Sequence, residues 1–360
     1  MMVVLATCLL ACTGCGNSAP ASPSPSPSTR TSASGGGVPQ AAVTVGVATL
    51  PFSPNYTELC AARGQRSFVV VLPPEVWPRR RAIRVIEIAG DGRVIRQRSL
   101  VVGWVYAADI MDVSAGPDGL YVGTGVLRRF FPHVPDELLR IDPTTLAIVA
   151  KAKFSAGVGA VAQGQQLWAV IDDGRVVRLD PRTLAVRASR RVVPKSSPLT
   201  PAMLSGSAPA IGAGGLWVLA ADEHEHVDLV RLDPTSLAVL SRTPVYGDDS
   251  TIPRGDSITY VAAGGGGVCL WGDEIIVPVN THGVEGQPTS EPNLESLAVD
   301  GSTLVALLGG PPGALVELDP QGRLLAQTAL SGSVGELAVS GFDAWFGKGE
   351  AFAHVRLNLP

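Results

Sequence analysis

Apolar and polar residues alternate along most of this chain in short runs, and the runs come in pairs. The clearest pairs are ELLRIDPTTLAIV (137–149), RVVRLDPRTLAV (175–186), DLVRLDPTSLAV (228–239), ALVELDPQGRLL (314–325) and the shortened HVRLNLP (354–360). Alternation with a period of two puts one face of each run against a core, and the Asp-Pro step between the runs is a tight turn, so each phrase predicts a β-hairpin. A second pair lies upstream of each phrase: AVAQGQQLWAVIDD (160–173), AIGAGGLWVLAADEHEH (210–226), LAVDGSTLVALLGGPP (297–312), DVSAGPDGLYVGTGVLRRFFPHV (112–134) and LAVSGFDAWFGKGEAF (337–352). The repeating unit is therefore four antiparallel strands, and a repeat of this length predicts a propeller or solenoid.

The N-terminal half of the pattern keeps the same plan without Asp-Pro. LCAARGQRSFVVVL (59–72) supplies two strands, and AIRVIEIAGDGRVIRQRSLVV (82–102) supplies two more around a Gly-Asp-Gly turn. Seven units result, at about 58–102, 110–154, 157–193, 209–246, 258–293, 295–330 and 334–360. The fifth has a poor or missing fourth strand. A six-bladed ring follows instead if 258–330 forms one irregular unit. The last unit stops after three strands, and the lone run VTVGVATL (43–50) is placed to supply the fourth. The fold class is all-β, a seven-bladed β-propeller closed by its own N-terminal strand, which removes the open sheet edge that invites aggregation.

Before residue 43 the pattern disappears. Met1–Ala11 is a short apolar run without Lys or Arg, followed by CTGCGNS and then by a stretch rich in Pro, Ser, Ala and Gly with one charge, Arg30. That stretch has too little apolar surface to bury and reads as an extended tether. The order of apolar run, small residues and cysteine resembles a bacterial lipoprotein export signal. That resemblance implies acylation at Cys12, preceded by Leu9-Leu10-Ala11, or alternatively at Cys15, followed by Gly16-Asn17. Together with the tether composition and the repeats, it gives expected domains at 1–11 (signal), 12–42 (tether) and 43–360 (propeller). It also implies a place on the outer face of a membrane, or secretion if acylation fails.

Composition narrows the function. The net charge is −4, which gives no electrostatic footprint for nucleic acid. No apolar run of 18 residues follows the N-terminal segment, so no membrane-spanning helix is predicted. Cys60 and Cys269 fall on well-separated units and are expected as buried free thiols rather than as a disulfide.

Strand alternation puts the first-to-second and third-to-fourth turns on one rim, where they are short. The second-to-third connections and the crossovers between units share the other rim, where they are long. Long, varied loops on a rigid frame are where binding residues concentrate. On that rim Trp77 and Arg80 (with Arg79 and Arg81) and Arg128, Arg129, Phe131 and His133 place arginines beside aromatics, the mixture typical of protein-binding hot spots. His224 and His226 stand in DEHEHVD (222–228), where alternate positions could offer a divalent metal two imidazoles, against the plainer reading of a solvated acidic loop. His282 with Glu285, Glu291 and Glu295 is a weaker set. The recurring Tyr121, Trp168, Trp217 and Trp345 share one strand position, which predicts packing between units rather than an aromatic cage. The Asp of each Asp-Pro is expected to accept local backbone N–H groups rather than to act as an acid.

The phrase LxV/WxxxxxxxVxRLDPxTL resembles the bacterial propellers with YVTN, NHL and streptogramin-lyase-like repeats, over about 43–360. WD-repeat signatures are absent, as is the quinoprotein-dehydrogenase pattern. The resemblance implies the fold and leaves two functions open. One is a monomeric, lipid-anchored binding or scaffolding module for a protein, peptide or cell-wall glycan, without a cofactor. The alternative is a lyase or hydrolase with a metal or a His/Glu pair on the same rim.

Overall fold

A computed structural model describes residues 40–358 apart from 41, 50–58, 65, 72–81, 103–107, 127–135, 164, 172, 194–208, 222–226, 247–257, 265–266, 273–274, 281–282, 285–288, 291–292, 301–302, 311, 320–321, 332–333, 341 and 349–350. Among these residues every regular element is a strand.

The strands form seven separate antiparallel sheets. After β1 (Ala42–Thr49), blade 1 comprises β2 (Leu59–Arg63), β3 (Arg66–Val71), β4 (Ala82–Ala89) and β5 (Val94–Val101). Blade 2 comprises β6 (Ala108–Gly116), β7 (Gly119–Val126), β8 (Asp136–Ile141) and β9 (Ile148–Phe154). Blade 3 comprises β10 (Val158–Gln163), β11 (Gln166–Ile171), β12 (Arg175–Leu179) and β13 (Val186–Arg191). Blade 4 comprises β14 (Ala210–Gly212), β15 (Gly215–Ala221), β16 (Val227–Leu232) and β17 (Val239–Tyr246). Blade 5 comprises β18 (Ile258–Ala263), β19 (Val268–Gly272), β20 (Ile275–Asn280) and two dipeptides, β21 (Gly283–Val284) and β22 (Thr289–Ser290), which both pair with β20. Blade 6 comprises β23 (Leu294–Asp300), β24 (Thr303–Leu308), β25 (Gly313–Leu318) and β26 (Leu324–Leu330). Blade 7 comprises β27 (Val334–Ser340), β28 (Asp343–Lys348) and β29 (Ala351–Leu357), completed by β1 in the order β1-β29-β28-β27.

Seven blades, not six, result, because β18–β22 and β23–β26 are distinct sheets. The weak fourth strand foreseen for blade 5 is the pair of dipeptides. The first strands neighbour one another around the whole circle, β2 beside β6, then β10, β14, β18, β23 and β27, and β27 beside β2. These inner strands surround the axis, and the fourth strands lie at the circumference. Their exposure shows it: all but one of the residues of β13 are exposed, whereas the second and third strands are almost wholly buried.

The closing strand is Ala42–Thr49, with its start at 42 rather than the expected 43 and Leu50 outside the described residues. It starts one residue earlier because Ala42 is fully buried and its N–H donates to Thr328 Oγ1 at 2.8 Å, so the sheet captures it. Its register runs antiparallel from Ala42↔Leu357 to Thr49↔Ala351, with a bulge between Thr44 and Gly46. The bulge brings β1 against the third-to-fourth turn of blade 1. A Cβ on Gly46 would stand 2.4 Å from the Asp91 carbonyl carbon, and one on Gly92 (φ +86°) would stand 2.4 Å from the Val47 carbonyl oxygen. Only glycine permits that approach at either position.

Apolar cores lie between blades rather than within them. Each cluster joins the second and third strands of one blade to the next: Phe68, Val70 and Val85 with Leu120, Val122 and Leu139, for example, and Tyr121 and Leu138 with Leu167, Ala169 and Val177.

Candidate functional site

The residues singled out from the sequence, namely Trp77, Arg80, Arg128, Arg129, Phe131, His133, His224, His226, Cys12 and Cys15, all lie outside the described residues, as do His282, Glu285 and Glu291. Glu295 is exposed on β23. The described strands still fix where the three loops attach. Segment 72–81 joins β3 to β4, 127–135 joins β7 to β8, and 222–226 joins β15 to β16. These are equivalent second-to-third connections, in blades 1, 2 and 4, so they leave from one rim. The Asp-Pro turns occupy the other.

Those turns are built alike. Asp142 Oδ1 accepts the N–H groups of Thr144 (2.8 Å) and Thr145 (2.7 Å), Asp180 Oδ1 those of Arg182 (3.0 Å) and Thr183 (2.8 Å), and Asp233 Oδ1 those of Thr235 (3.1 Å) and Ser236 (2.6 Å). Donation to the ionised form favours it. Backbone N–H donors hold the Asp142 and Asp233 carboxyls below the usual range, and Asp180 is held low first by Arg187 and then by Thr183. The leucine that follows adopts positive φ in each turn, 53° at Leu146, 59° at Leu184 and 60° at Leu237. All three side chains are buried in the cluster shared with the preceding blade, and that burial offsets a conformation unfavourable by about 1–2 kcal/mol. The aspartates are turn formers, as the sequence suggested.

The aromatic position of the second strand reaches for these turns. Tyr121 Oη donates to the Pro181 carbonyl at 3.0 Å, and Trp168 Nε1 to the Pro234 carbonyl at 2.8 Å, each crossing into the next blade. Burial pushes the Tyr121 phenol up to about 12. Trp217 turns instead to its own Gly212 carbonyl at 2.9 Å, under Arg231 at 5.5 Å from the ring centroid. Blade 5 has no Asp-Pro turn for it to meet. In blade 7 Trp345 stacks on His354, with ring centroids 4.1 Å apart. His354 makes the crossing there, with Nδ1 2.8 Å from the Gly90 carbonyl and Nε2 2.9 Å from Asp343 Oδ1. The aromatic residues are therefore packing between blades and not a cage.

Blade 1 departs from this scheme. Its residue at the aromatic position is Phe68, which has no donor. The cross-strand partner is Glu87, where blades 2, 3 and 4 have Arg140, Arg178 and Arg231. Arg140 bridges to the next blade by donating to the Arg182 carbonyl at 2.9 Å, while Glu87 folds back. Glu87 is fully buried and accepts from Arg66 Nη1 at 3.0 Å and from Arg96 Nε. Arg63 Nη2 reaches the Pro117 carbonyl of blade 2 at 3.3 Å. A cleft of about 370 Å³ remains at this seam, lined by Arg63, Arg66 and Arg96 around Glu87 and Phe68, with Pro143 and Thr144 as its far wall. The cleft lies on the rim of short turns, opposite the rim favoured from the sequence.

Cys269 is a free, buried thiol at the equivalent position of blade 5, and burial pushes its pKa up to about 12. A thiol so placed is inert filler. The side chain of Cys60 lies outside the described residues. Among the described residues no group of three His, Cys, Asp or Glu side chains gathers in metal-binding geometry.

No family model matches the chain, and no curated protein matches it. Solved structures do. The chain is similar to BamB from Moraxella catarrhalis, with a TM-score of 0.51 and 12% identity over 88% of this chain and 99% of that one. It is similar to the Pan2 WD40 domain of Neurospora crassa, with a TM-score of 0.59 and 7% identity over 89% of this chain and 97% of that one. At such identities the likeness is one of fold, and the fold it shows is the β-propeller.

Proposed function

We propose that this protein is a lipid-anchored, extracytoplasmic binding module that presents its long-connection rim to a protein, peptide or cell-wall ligand. The observation that carries the reading is the unequal use of the two rims. Around blades 2 to 4 the short turns are taken up by structure: Asp142, Asp180 and Asp233 each tie their own turn together, and Tyr121 and Trp168 cross to the turns of blades 3 and 4. The second-to-third connections carry the arginine and aromatic residues of 72–81 and 127–135. The attachment of the N-terminal segment supports the same orientation. Ala42 pairs with Leu357 at the short-turn end of blade 7, so the chain enters the ring on that rim. A tether of this composition has a mean span of about 30 Å, enough to hold a ring clear of a bilayer surface. The YVTN/NHL-like phrase and the export-signal-like start agree with this reading.

Detergent-phase partitioning of the full chain expressed in a bacterium tests the anchor. The wild type enters the detergent phase and Cys12→Ser does not; loss in Cys15→Ser alone moves the acylation site, and retention in both removes the anchor. A melting-temperature rise with Zn²⁺ that His224→Ala/His226→Ala abolishes would replace the binding module with the metal-dependent enzyme.

A further inference from the structure

We propose that the cleft between blades 1 and 2 is a second binding site, on the short-turn rim, for an acidic peptide segment. The inference does not rest on the long-connection rim and survives or fails apart from it.

Three features carry it. First, the seam lacks both devices that close the next one: Phe68 cannot donate across to the turn of blade 2 as Tyr121 does to that of blade 3, and Glu87 stands where Arg140 bridges from blade 2 to blade 3. Second, the charge that fills the gap is unbalanced. Three guanidinium groups meet one carboxylate, and that carboxylate is fully buried between Arg66 and Arg96. The Arg66 side chain is 59% exposed, so its guanidinium is accessible from solvent. A guanidinium has five N–H donors in a fork that matches a carboxylate, and one bond each to Glu87 or Pro117 leaves most of them for a ligand. Third, the volume of about 370 Å³ stands at the small end of ligand pockets and opens along a seam between blades. Such a cleft takes one or two side chains of a chain that continues outside it better than it encloses a whole metabolite. The Pro143–Thr144 turn gives that chain a rigid wall, held by the Asp142 carboxylate and, one residue on, by Arg98 Nη1 donating to the Thr145 carbonyl at 3.1 Å.

The test is fluorescence anisotropy with a labelled Gly-(Glu)4-Gly peptide, its Gln counterpart, and inorganic phosphate as competitor, on the purified propeller chain. The wild type binds the Glu peptide saturably and not the Gln peptide, and affinity falls as salt rises. Arg63→Gln weakens binding about tenfold, the effect of one lost charge-assisted hydrogen bond, and lowers the melting temperature by no more than about 1 °C, because Arg63 is exposed, is not a partner of Glu87 and makes only a long surface bond to the Pro117 carbonyl. Phe68→Trp fills the cleft as Trp168 fills the seam two blades on, and abolishes binding in a protein that still melts cooperatively. Absence of saturable binding by the wild type overturns the proposal, as does binding that both variants keep. Binding of inorganic phosphate with no binding of the Glu peptide overturns the peptide as occupant.

Discussion

The seam between blades 1 and 2 and the seam between blades 2 and 3 are built on the same register and end differently. At the second, Tyr121 and Arg140 both cross to the turn of the next blade, and Asp118 accepts Arg182 Nε at 3.0 Å to complete the closure. At the first, Phe68 and Glu87 occupy those two positions, and a charged cleft is left. Between these two seams, a change at two side chains accompanies the change from joint to recess. The backbone scarcely registers the difference, since the strands on both sides pair throughout with the same alternation.

The comparison breaks first at the aromatic position. Trp168→Ala removes a large buried side chain and strands the Pro234 carbonyl, and is expected to cost about 4 kcal/mol in urea unfolding. Phe68→Ala, with less surface and no crossing bond, costs about 1 kcal/mol less; equal losses would mean the first seam is as tightly joined as the others. A finer cut is Tyr121→Phe, which makes the second seam resemble the first. It should cost about 1 kcal/mol, read as a fall of about 2 °C in Tm. The phenol is raised from 10 to about 12 in the folded protein, so the stability it contributes is complete below pH 10 and lost as pH rises toward 12. Tyr121→Phe should lack that alkaline loss. The smallest effect lies in the turns. Asp142, Asp180 and Asp233 have folded values below the ordinary 3.8, so their contribution is present above that value and disappears as pH falls through the lower folded values. Acid titration followed by circular dichroism should show a shallower decline below pH 4 in Asp180→Asn than in the wild type.

Much of the ring was legible because the repeat writes its chemistry in sequence order. In RLDPRTL the Asp accepts two nearby N–H groups, the Pro fixes a φ, and the Leu buries its side chain from a left-handed backbone. The blade boundaries follow from that phrase where it occurs, and the weak edge of blade 5 follows from the polar stretch after VPVN (277–280). The closing strand was legible because VTVGVATL alternates and has no hairpin partner of its own. The seam cleft was not read, because Arg63, Arg66, Glu87 and Arg96 come from four strands and their far wall from the next blade. No spacing along the chain joins them. The signal that marks it is positional: set under Arg140, Arg178 and Arg231, Glu87 reverses the charge at that place in the repeat, as Glu317 does in blade 6, and blade 1 adds Arg63, Arg66 and Arg96 around it. The long connections carry no repeat at all, so periodicity locates their ends and says nothing of their interiors.

The closure of blade 7 also constrains how the molecule is made. Asn358 Nδ2 donates to the Gln40 carbonyl across 318 residues, and β1 finds its partner only in β29. A ribosome or export channel releases the chain from its N-terminus, so β1 waits with bare edges while six blades assemble. Joining contacts so distant is entropically slow. A polypeptide halted before Ala351 would retain most of its core yet keep a sticky strand at its head, a natural mark for quality-control proteases to read.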